Sequence, residues 1–146
     1  MNPIHIRKAK FEEIDWINDT YQKLSFTVSD FNKEYIAVAE FNGYPCGLGR
    51  LVPIDSDNLE LGGMYVSEEY RKKGIANAIV LNLIHQNKTN KNIWCLPFGH
   101  LKNFYEKFDF KEVKELSKKV PTEIFSKYEW CRKTYNKKVL LLVKNN

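Results

Sequence analysis

The sequence predicts an α/β (α+β) protein in which one sheet of six to seven strands is flanked by helices. Apolar residues recur every three to four positions in Phe11–Leu24 and again from Ile75 onward, which is typical of amphipathic helices packed on a sheet. Short runs rich in strand-forming residues lie before, between and after these segments. A chain of 146 residues, 43% of them hydrophobic, is long enough for one core, so we expect residues 1–146 to form a single domain.

The first third of the chain supplies a strand, a helix and a hairpin. Ile4–Lys8 alternates like a short edge strand, and Phe11–Leu24 follows as the first helix. Tyr35–Phe41 is rich in strand formers, Asn42-Gly43 favours a tight turn, and Pro45–Ile54 reads as the returning strand.

The central stretch, Leu59–Ile84, contains a strand, a basic turn and a helix in that order. Gly62 and Gly63 interrupt the strand, which indicates a bulge or a close approach of another group to the backbone. The turn Arg71–Ala76 opens the helix. Its Gly74 has no side chain to obstruct a ligand, the first helical amides lack internal partners, and the helix dipole places about half a positive charge there. The turn is therefore predicted to bind phosphate groups.

The last third of the chain is predicted to hold three strands and two helices. These are the strand Ile93–Leu96, the helix Leu101–Phe108, the strand Phe110–Val113, the helix Pro121–Thr134 and the strand Val139–Val143. Because proline cannot donate a hydrogen bond to a sheet, Pro97 should part the first of these strands from its neighbour.

Charge and cysteine content narrow the class of protein. The net charge of +5 comes from the last third: residues 1–99 carry 11 basic and 12 acidic side chains, and residues 100–146 carry 12 and 6. These charges are mixed with apolar residues, so a solvated surface is favoured over nucleic-acid binding.

Cys46, Cys95 and Cys131 are odd in number and widely spaced, which argues against disulfides and a zinc site. With no apolar run long enough to cross a bilayer and no apolar signal region, we expect a soluble, cytoplasmic protein without a membrane partner.

Two blocks of the sequence resemble the GNAT superfamily of acyl-CoA-dependent N-acyltransferases. The family signature is Gln or Arg, two residues, Gly, one residue, then Gly or Ala, and Arg71, Gly74 and Ala76 fit it. The second block, Leu101–Phe110, is similar to a later helix of the family that usually ends Tyr-Glu-Lys-Leu-Gly-Phe. The blocks stand in the expected order, and the resemblance covers about Ile4 to Val113.

The resemblance implies a mixed, mostly antiparallel sheet whose central parallel strands splay apart to receive the pantetheine arm of acyl-CoA. It implies an N-acetyltransferase that uses acetyl-CoA as cosubstrate and needs no metal. The residues predicted to bind the cofactor are Met64, Tyr65, Val66, Arg71, Lys72, Lys73, Gly74, Ile75, Ala76, Asn77 and Asn103. Among them, the amide of Val66 or of Tyr65 would polarise the thioester carbonyl.

Acetyl transfer to an amine requires a proton acceptor and a proton donor. Removing a proton from a lysine-like amine at pH 7 costs about 4 to 5 kcal/mol. The resemblance implies that Glu60 accepts it, directly or through water; a salt bridge across the strands is an equally good interpretation of this carboxylate. The resemblance also implies that Tyr105 donates a proton to the departing thiolate, and its alternative is aromatic packing. Cys95 as an acylated nucleophile has no evident base beside it in sequence.

Three positions depart from the family pattern or stand apart from it. Asp109 occupies a position that is usually glycine, and Phe98 occupies one where many members have an asparagine that contacts the cofactor; Asn103 is a candidate replacement. His100 precedes the Tyr105 helix and could titrate near neutral pH or serve a structural role.

The acceptor is an amine that the sequence leaves unidentified. Aromatic and basic residues that could line its pocket, or simply form core, are Trp16, Tyr21, Phe26, Arg50, Trp130 and Tyr135. The short aromatic stretch Ser25–Phe31 slightly favours a small molecule over a protein acceptor. We expect a monomer or homodimer. A non-catalytic acyl-CoA-binding regulatory module and a basic nucleic-acid-binding domain are the alternative functions.

Overall fold

The computed structural model describes residues 2–115 and 119–146. Within them the strands are β1 (Ile4–Lys8), β2 (Tyr35–Phe41), β3 (Tyr44–Pro53), β4 (Asn58–Val66), β5 (Asn92–Cys95), β6 (Lys111–Glu112) and β7 (Leu142–Lys144). The α-helices of the same described residues are α1 (Ile14–Lys23), α2 (Ile75–His85), α3 (Lys102–Glu106) and α4 (Thr122–Thr134).

These seven strands of the described chain form one sheet in the order β1-β2-β3-β4-β5-β7-β6. The pairs β1–β2, β2–β3, β5–β7 and β6–β7 are antiparallel, whereas β4 and β5 are parallel. The predicted fold class, a mixed and mostly antiparallel sheet flanked by helices, is confirmed.

The described chain divides into two compact units. The first contains the chain up to Val52 together with Gly63–Lys88, and the second contains Pro53–Gly62 and Thr89–Asn146. Assignment of residues 1–146 to one domain stays a prediction.

The core of the first unit lies between α1 and the strands β2 and β3. Its buried residues are Ala9, Ile17, Tyr21, Ile36, Val38 and Leu48. The tight turn joining β2 to β3 has positive φ at Asn42 (50°) and Gly43 (86°), as the Asn-Gly pair predicts. Helix α2 buries Ile79 and Leu83 against β3, where a Cβ on Gly49 would lie 2.5 Å from Ile79 Cγ2. Glycine at this position is what allows the helix to approach the strand.

The core of the second unit is built around Trp94 of β5, Ile124 of α4 and Leu141. The parallel register of β4 with β5 runs from Asn58↔Asn92 to Leu61↔Cys95. It ends two residues before Pro97, near the place where the proline was expected to part the strands.

The chain after Pro97 bonds to a different segment. Leu140 N donates to Pro97 O at 2.8 Å, and Phe98 forms an isolated antiparallel bridge with Val139. For this reason Val139 lies outside the last strand: β7 begins at Leu142, not at the predicted Val139.

Two predicted element lengths are also wrong. The helix predicted at Leu101–Phe108 is a 3₁₀ turn at Gly99–Leu101 followed by a short α3, and the strand predicted at Phe110–Val113 shrinks to Lys111–Glu112. Among the helices that the structure describes, none is long and apolar enough to span a bilayer.

Candidate active site

The basic turn before α2, in the first unit, leaves the start of that helix open and places exposed basic side chains beside it. Gly74 is the N-cap of α2 with φ +86°, and apart from Gly74 and its two chain neighbours no atom of the described residues lies within 4 Å of the position that a Cβ would take. The first backbone bond of the helix is Ala78 N to Gly74 O, so the amides of residues 75–77 precede any intrahelical partner. Arg71, Lys72 and Lys73 are exposed beside them. These features fit a diphosphate, which needs backbone donors, a nearby positive charge and room for its oxygens.

The predicted cofactor residues divide between the helix start and the strand before it. Ile75 is buried beneath the turn, and Ala76 and Asn77 are half-buried in the first turn of α2. Met64, Tyr65 and Val66 form the half-buried end of β4. Arg71 Nε donates to Val66 O at 3.0 Å, so the basic turn is fastened to the end of the strand.

The end of β4 is fastened a second time at Gly63. This residue has φ +60°, and its carbonyl oxygen accepts a 2.8 Å hydrogen bond from Tyr21 Oη. A Cβ at Gly63 would lie 2.6 Å from the same hydroxyl oxygen. The glycine pair therefore marks a close approach to the backbone, one of the two possibilities that the sequence indicated.

Arg50 and Tyr21, both named from the sequence as candidates for the acceptor pocket, lie in a buried polar cluster whose contacts the sequence did not reveal. Its guanidinium lies 4.4 Å above the Tyr21 ring and donates to Ser29 Oγ at 2.5 Å. Glu34 Oε1 lies 3.9 Å from Arg50 Nη1. Burial raises the pKa of the Tyr21 phenol. A lone arginine between glycine and leucine on an otherwise apolar strand was the available signal.

In the second unit, Glu60 forms an ion pair with a lysine of α4. Glu60 is only 5% exposed, and its Oε2 lies 2.8 Å from Lys127 Nζ. Glu60 therefore makes a salt bridge, although with a helix and not across strands. Lys127 was not predicted as a partner of Glu60, because the two residues are 67 positions apart in the sequence. It does lie between Ile124 and Cys131 on the buried face of α4, where a lysine is unexpected.

Tyr105 lies in the same part of the second unit. It is 3% exposed on α3, with its ring edge-on to those of Phe104 and Phe110. Burial, and then the electrostatic effect of Cys95 and its hydrogen bond, raise the pKa of the phenol well above its usual 10. Burial and the charge of Glu60 likewise raise the pKa of the Cys95 thiol. A thiol held protonated is a poor nucleophile, which weighs against an acylated Cys95.

The other residues that were named from the sequence are either exposed or packed against aromatic rings. Asn103 is exposed on α3, and Phe98 stacks on His100 with ring centroids 6.5 Å apart. Trp130 and Tyr135 pack edge to face in the second unit, and Trp16 is exposed on α1. Among the described residues, no group of three or more His, Cys, Asp or Glu side chains could hold a metal ion.

A family model matches the part of the chain that contains the glycine-interrupted strand, the basic turn and the Tyr105 helix. The model described as "Acetyltransferase (GNAT) domain" matches residues 32–112, more than half of the chain. The chain belongs to the GNAT acetyltransferase family. Membership confirms the resemblance found in the sequence and the class of enzyme. The match includes Glu60, the Arg71–Ala76 turn and Tyr105, whose individual roles stay predictions.

Solved structures share this GNAT fold over nearly the whole chain. Rv2747 from Mycobacterium tuberculosis, solved in complex with CoA, superposes with a TM-score of 0.74 at 16% identity, covering 97% of this chain and 99% of its own. A GNAT family acetyltransferase from Elizabethkingia anophelis with acetyl-CoA bound gives 0.71 at 15% identity, with 100% of both chains covered. N-acetylglutamate synthase from Neisseria gonorrhoeae, complexed with CoA and L-arginine, gives 0.72 at 15% identity, covering 97% of this chain and 33% of its own. No curated protein sequence matches the chain.

Proposed function

We propose that this acetyltransferase moves the acetyl group of acetyl-CoA to the primary amine of a small-molecule acceptor by direct attack. The observation that carries the proposal is the open start of α2, where Gly74 at φ +86° leaves free space beside three exposed cations. A cosubstrate with a diphosphate fits such a helix start. Structures of the same fold, at 16% and 15% identity, contain CoA or acetyl-CoA.

In this proposal, the backbone at the end of β4 binds the thioester. The carbonyl of Gly63 is held by Tyr21 and that of Val66 by Arg71, so the segment between them is anchored at both ends. Fixed backbone amides stabilise developing negative charge on an oxygen without having to reorganise. The amide of Val66, or that of Tyr65, is proposed to perform this task on the acetyl carbonyl oxygen.

Glu60 and Tyr105 are proposed to move the protons. Glu60 is a buried carboxylate that already holds an ammonium group, that of Lys127, at 2.8 Å. A carboxylate that binds one alkylammonium in this way is suited to receive the proton of another. The raised pKa of Tyr105 keeps its phenol protonated at neutral pH, as a proton donor to a departing thiolate must be.

The acceptor is proposed to be a small amine, and the protein a monomer or homodimer in the cytoplasm. Cys46, Cys95 and Cys131 are all free and buried, which supports a reducing compartment.

Calorimetric titration with acetyl-CoA tests the proposal. The wild-type protein is expected to bind, whereas the Arg71→Glu, Gly74→Asp double variant places two carboxylates in the turn and should lose binding. Gly43→Asp is the matched control, because Gly43 has the same φ of +86° and open surroundings in the β2–β3 turn. It carries the same backbone strain and should bind normally.

A screen of primary amines then tests the chemistry, with release of CoA as the signal and Tyr105→Phe as the catalytic control. Absence of acetyl-CoA binding to the wild-type protein would overturn the proposed function.

A further inference from the structure

Lys127 forms an ion pair with Glu60, the carboxylate that is proposed to accept a proton in the reaction. Its Nζ lies 2.8 Å from Glu60 Oε2, and the Glu60 side chain is 6% exposed. The carboxylates in two other lysine ion pairs are more open: Glu112, which faces Lys102, is 24% exposed, and Asp109, which faces Lys144, is 87% exposed. Lys127 thus presents to Glu60 the chemical group that the proposed reaction acetylates.

The helix α4 holds this amine in place. Ile124 and Cys131, three residues before and four after Lys127, are buried, so Lys127 lies on the packed face of the helix. The Lys127 side chain is 33% exposed, so it is not fully enclosed by the helix packing.

The same cluster contains the proposed proton donor. Both Glu60 and Lys127 act electrostatically on the Cys95 thiol, and this thiol is hydrogen-bonded to Tyr105. Cys131 on α4 also lies within the influence of Lys127 and Glu60. An amine, a carboxylate and a protonated phenol therefore occur together within the second unit.

We propose that Lys127 is a site of self-acetylation, a reaction that rests on the proposed function. The Glu60 carboxylate takes one proton from the Lys127 ammonium, and the Nζ lone pair forms a bond to the acetyl carbonyl carbon of acetyl-CoA. The carbon–sulfur bond breaks as the Tyr105 phenol gives its proton to the sulfur. The new amide nitrogen loses a second proton, which restores the phenol through water, and Glu60 releases its proton to water. The products are acetylated Lys127, CoA thiol and one proton.

Self-acetylation removes a positive charge from the cluster. Acetylated Lys127 is neutral and cannot form an ion pair with Glu60. The carboxylate is then available to the ammonium group of an external acceptor, so acetylation of Lys127 would prepare the site for turnover.

Mass spectrometry of the full chain after incubation with isotope-labelled acetyl-CoA, without acceptor, tests this inference. Lys133 is the matched control, because it is exposed on the same helix and reports chemical acetylation from bulk water. We expect Lys127 to be labelled roughly a hundredfold faster than Lys133, the size of a typical general-base contribution. The labelling rate constant should not depend on protein concentration, since the amine and the site belong to one molecule.

Three variants separate the outcomes. Lys127→Arg keeps a positive charge facing Glu60 and should lose the label, and Glu60→Gln should reduce labelling of Lys127 to the level of Lys133. Should Glu60→Gln fail to fold, the Arg71→Glu, Gly74→Asp variant provides a second test, since it should abolish labelling of Lys127 and leave that of Lys133 unchanged. Equal labelling of Lys127 and Lys133 in the wild-type protein would overturn self-acetylation. If that protein still binds acetyl-CoA and acetylates an external amine, the proposed function stands without it.

Discussion

At the scale of single residues, burial decides whether a tyrosine hydroxyl can ionise easily. Tyr105 is almost fully enclosed, and the pKa of its phenol lies well above 10 because ionisation would place a charge in an apolar site. Tyr44, in contrast, is 68% exposed on β3. A buried phenol stays protonated throughout the neutral range, so it can act as an acid but not as a base.

Replacing Tyr105 by phenylalanine should therefore slow acetyl transfer without removing the cosubstrate. We expect kcat to fall by about 10² to 10⁴, the usual contribution of a general acid, and the Kd for acetyl-CoA to stay within a few-fold of wild type. Steady-state kinetics and calorimetry measure the two quantities. Tyr44→Phe is the control and should leave both unchanged. Full activity of Tyr105→Phe would make Tyr105 a packing residue.

Asp109 is a residue whose backbone conformation favours glycine. Its φ is +70°, and the GNAT family usually has glycine at this position. An alanine in the left-handed region costs about 1 kcal/mol more than a glycine, whereas aspartate is tolerated better than most residues. We expect Asp109→Gly to be about 1 kcal/mol more stable than Asp109→Ala, as measured by urea unfolding. An alanine variant as stable as the glycine variant would contradict this conformation.

At the scale of elements, the end of β4 depends on one glycine. Gly63 combines a φ of +60° with a hydroxyl oxygen 2.6 Å from the position of an added Cβ. Gly43 also has positive φ but meets nothing within 4 Å. The two positions separate the cost of backbone strain from that of a steric clash.

Gly63→Ala should destabilise the protein more than Gly43→Ala. The strain alone costs about 1 kcal/mol at either position, and losing the bond from Tyr21 to the Gly63 carbonyl adds about 1 to 3 kcal/mol at Gly63. Urea unfolding of both variants measures the difference. A Tyr21→Phe background removes the nearest atom, the hydroxyl oxygen, whereas Arg50 Nε and the ring carbon Cζ of residue 21 remain 2.9 Å from the added Cβ, so the cost of Gly63→Ala should fall in part. Additive effects of the two substitutions would show that the hydroxyl is not the obstacle.

Elements with a long hydrophobic period or distinctive turn chemistry could be predicted from the sequence. Helices α1 and α2 and the Asn42-Gly43 hairpin have their predicted type and nearly their predicted bounds. Residues 139–141 were predicted as strand but lie outside it. A short apolar run has the same pattern in a strand and in a segment that pairs only with Pro97 and Phe98, so the sequence could not distinguish the two. The turn Arg71–Ala76, which is predicted to bind phosphate, is a continuous stretch of sequence, so its residues could be named together without knowledge of the fold.

At the scale of the whole molecule, the contacts that the sequence could not reveal join distant residues. Glu60 and Lys127 are 67 positions apart, and Arg50 meets Ser29 across 21. Local periodicity contains no information on such pairs, because they are brought together by the tertiary fold: Lys127 lies on α4, and Ser29 lies outside the strands. Each compact unit nevertheless follows the same rule: it buries one tyrosine whose hydroxyl is hydrogen-bonded, Tyr21 in the first and Tyr105 in the second.

These two tyrosines should make stability fall in strong alkali. The pKa of each is raised in the folded state by burial, whereas an unfolded tyrosine ionises near 10. Below pH 10 both states keep the proton, so the contribution to stability is fully present. Above pH 10 the unfolded chain loses protons that the native state retains, so the free energy of unfolding falls by about 1.4 kcal/mol per pH unit for each tyrosine.

Urea unfolding of Tyr21→Phe and Tyr105→Phe between pH 9 and pH 11 checks this linkage. Each variant lacks one ionisable phenol, so its stability deficit relative to wild type should shrink by about 1.4 kcal/mol per pH unit above 10. A constant deficit for Tyr21→Phe or Tyr105→Phe across this range would mean that the corresponding phenol ionises in the native state as freely as in the unfolded chain. The burial assigned to that phenol would then be wrong.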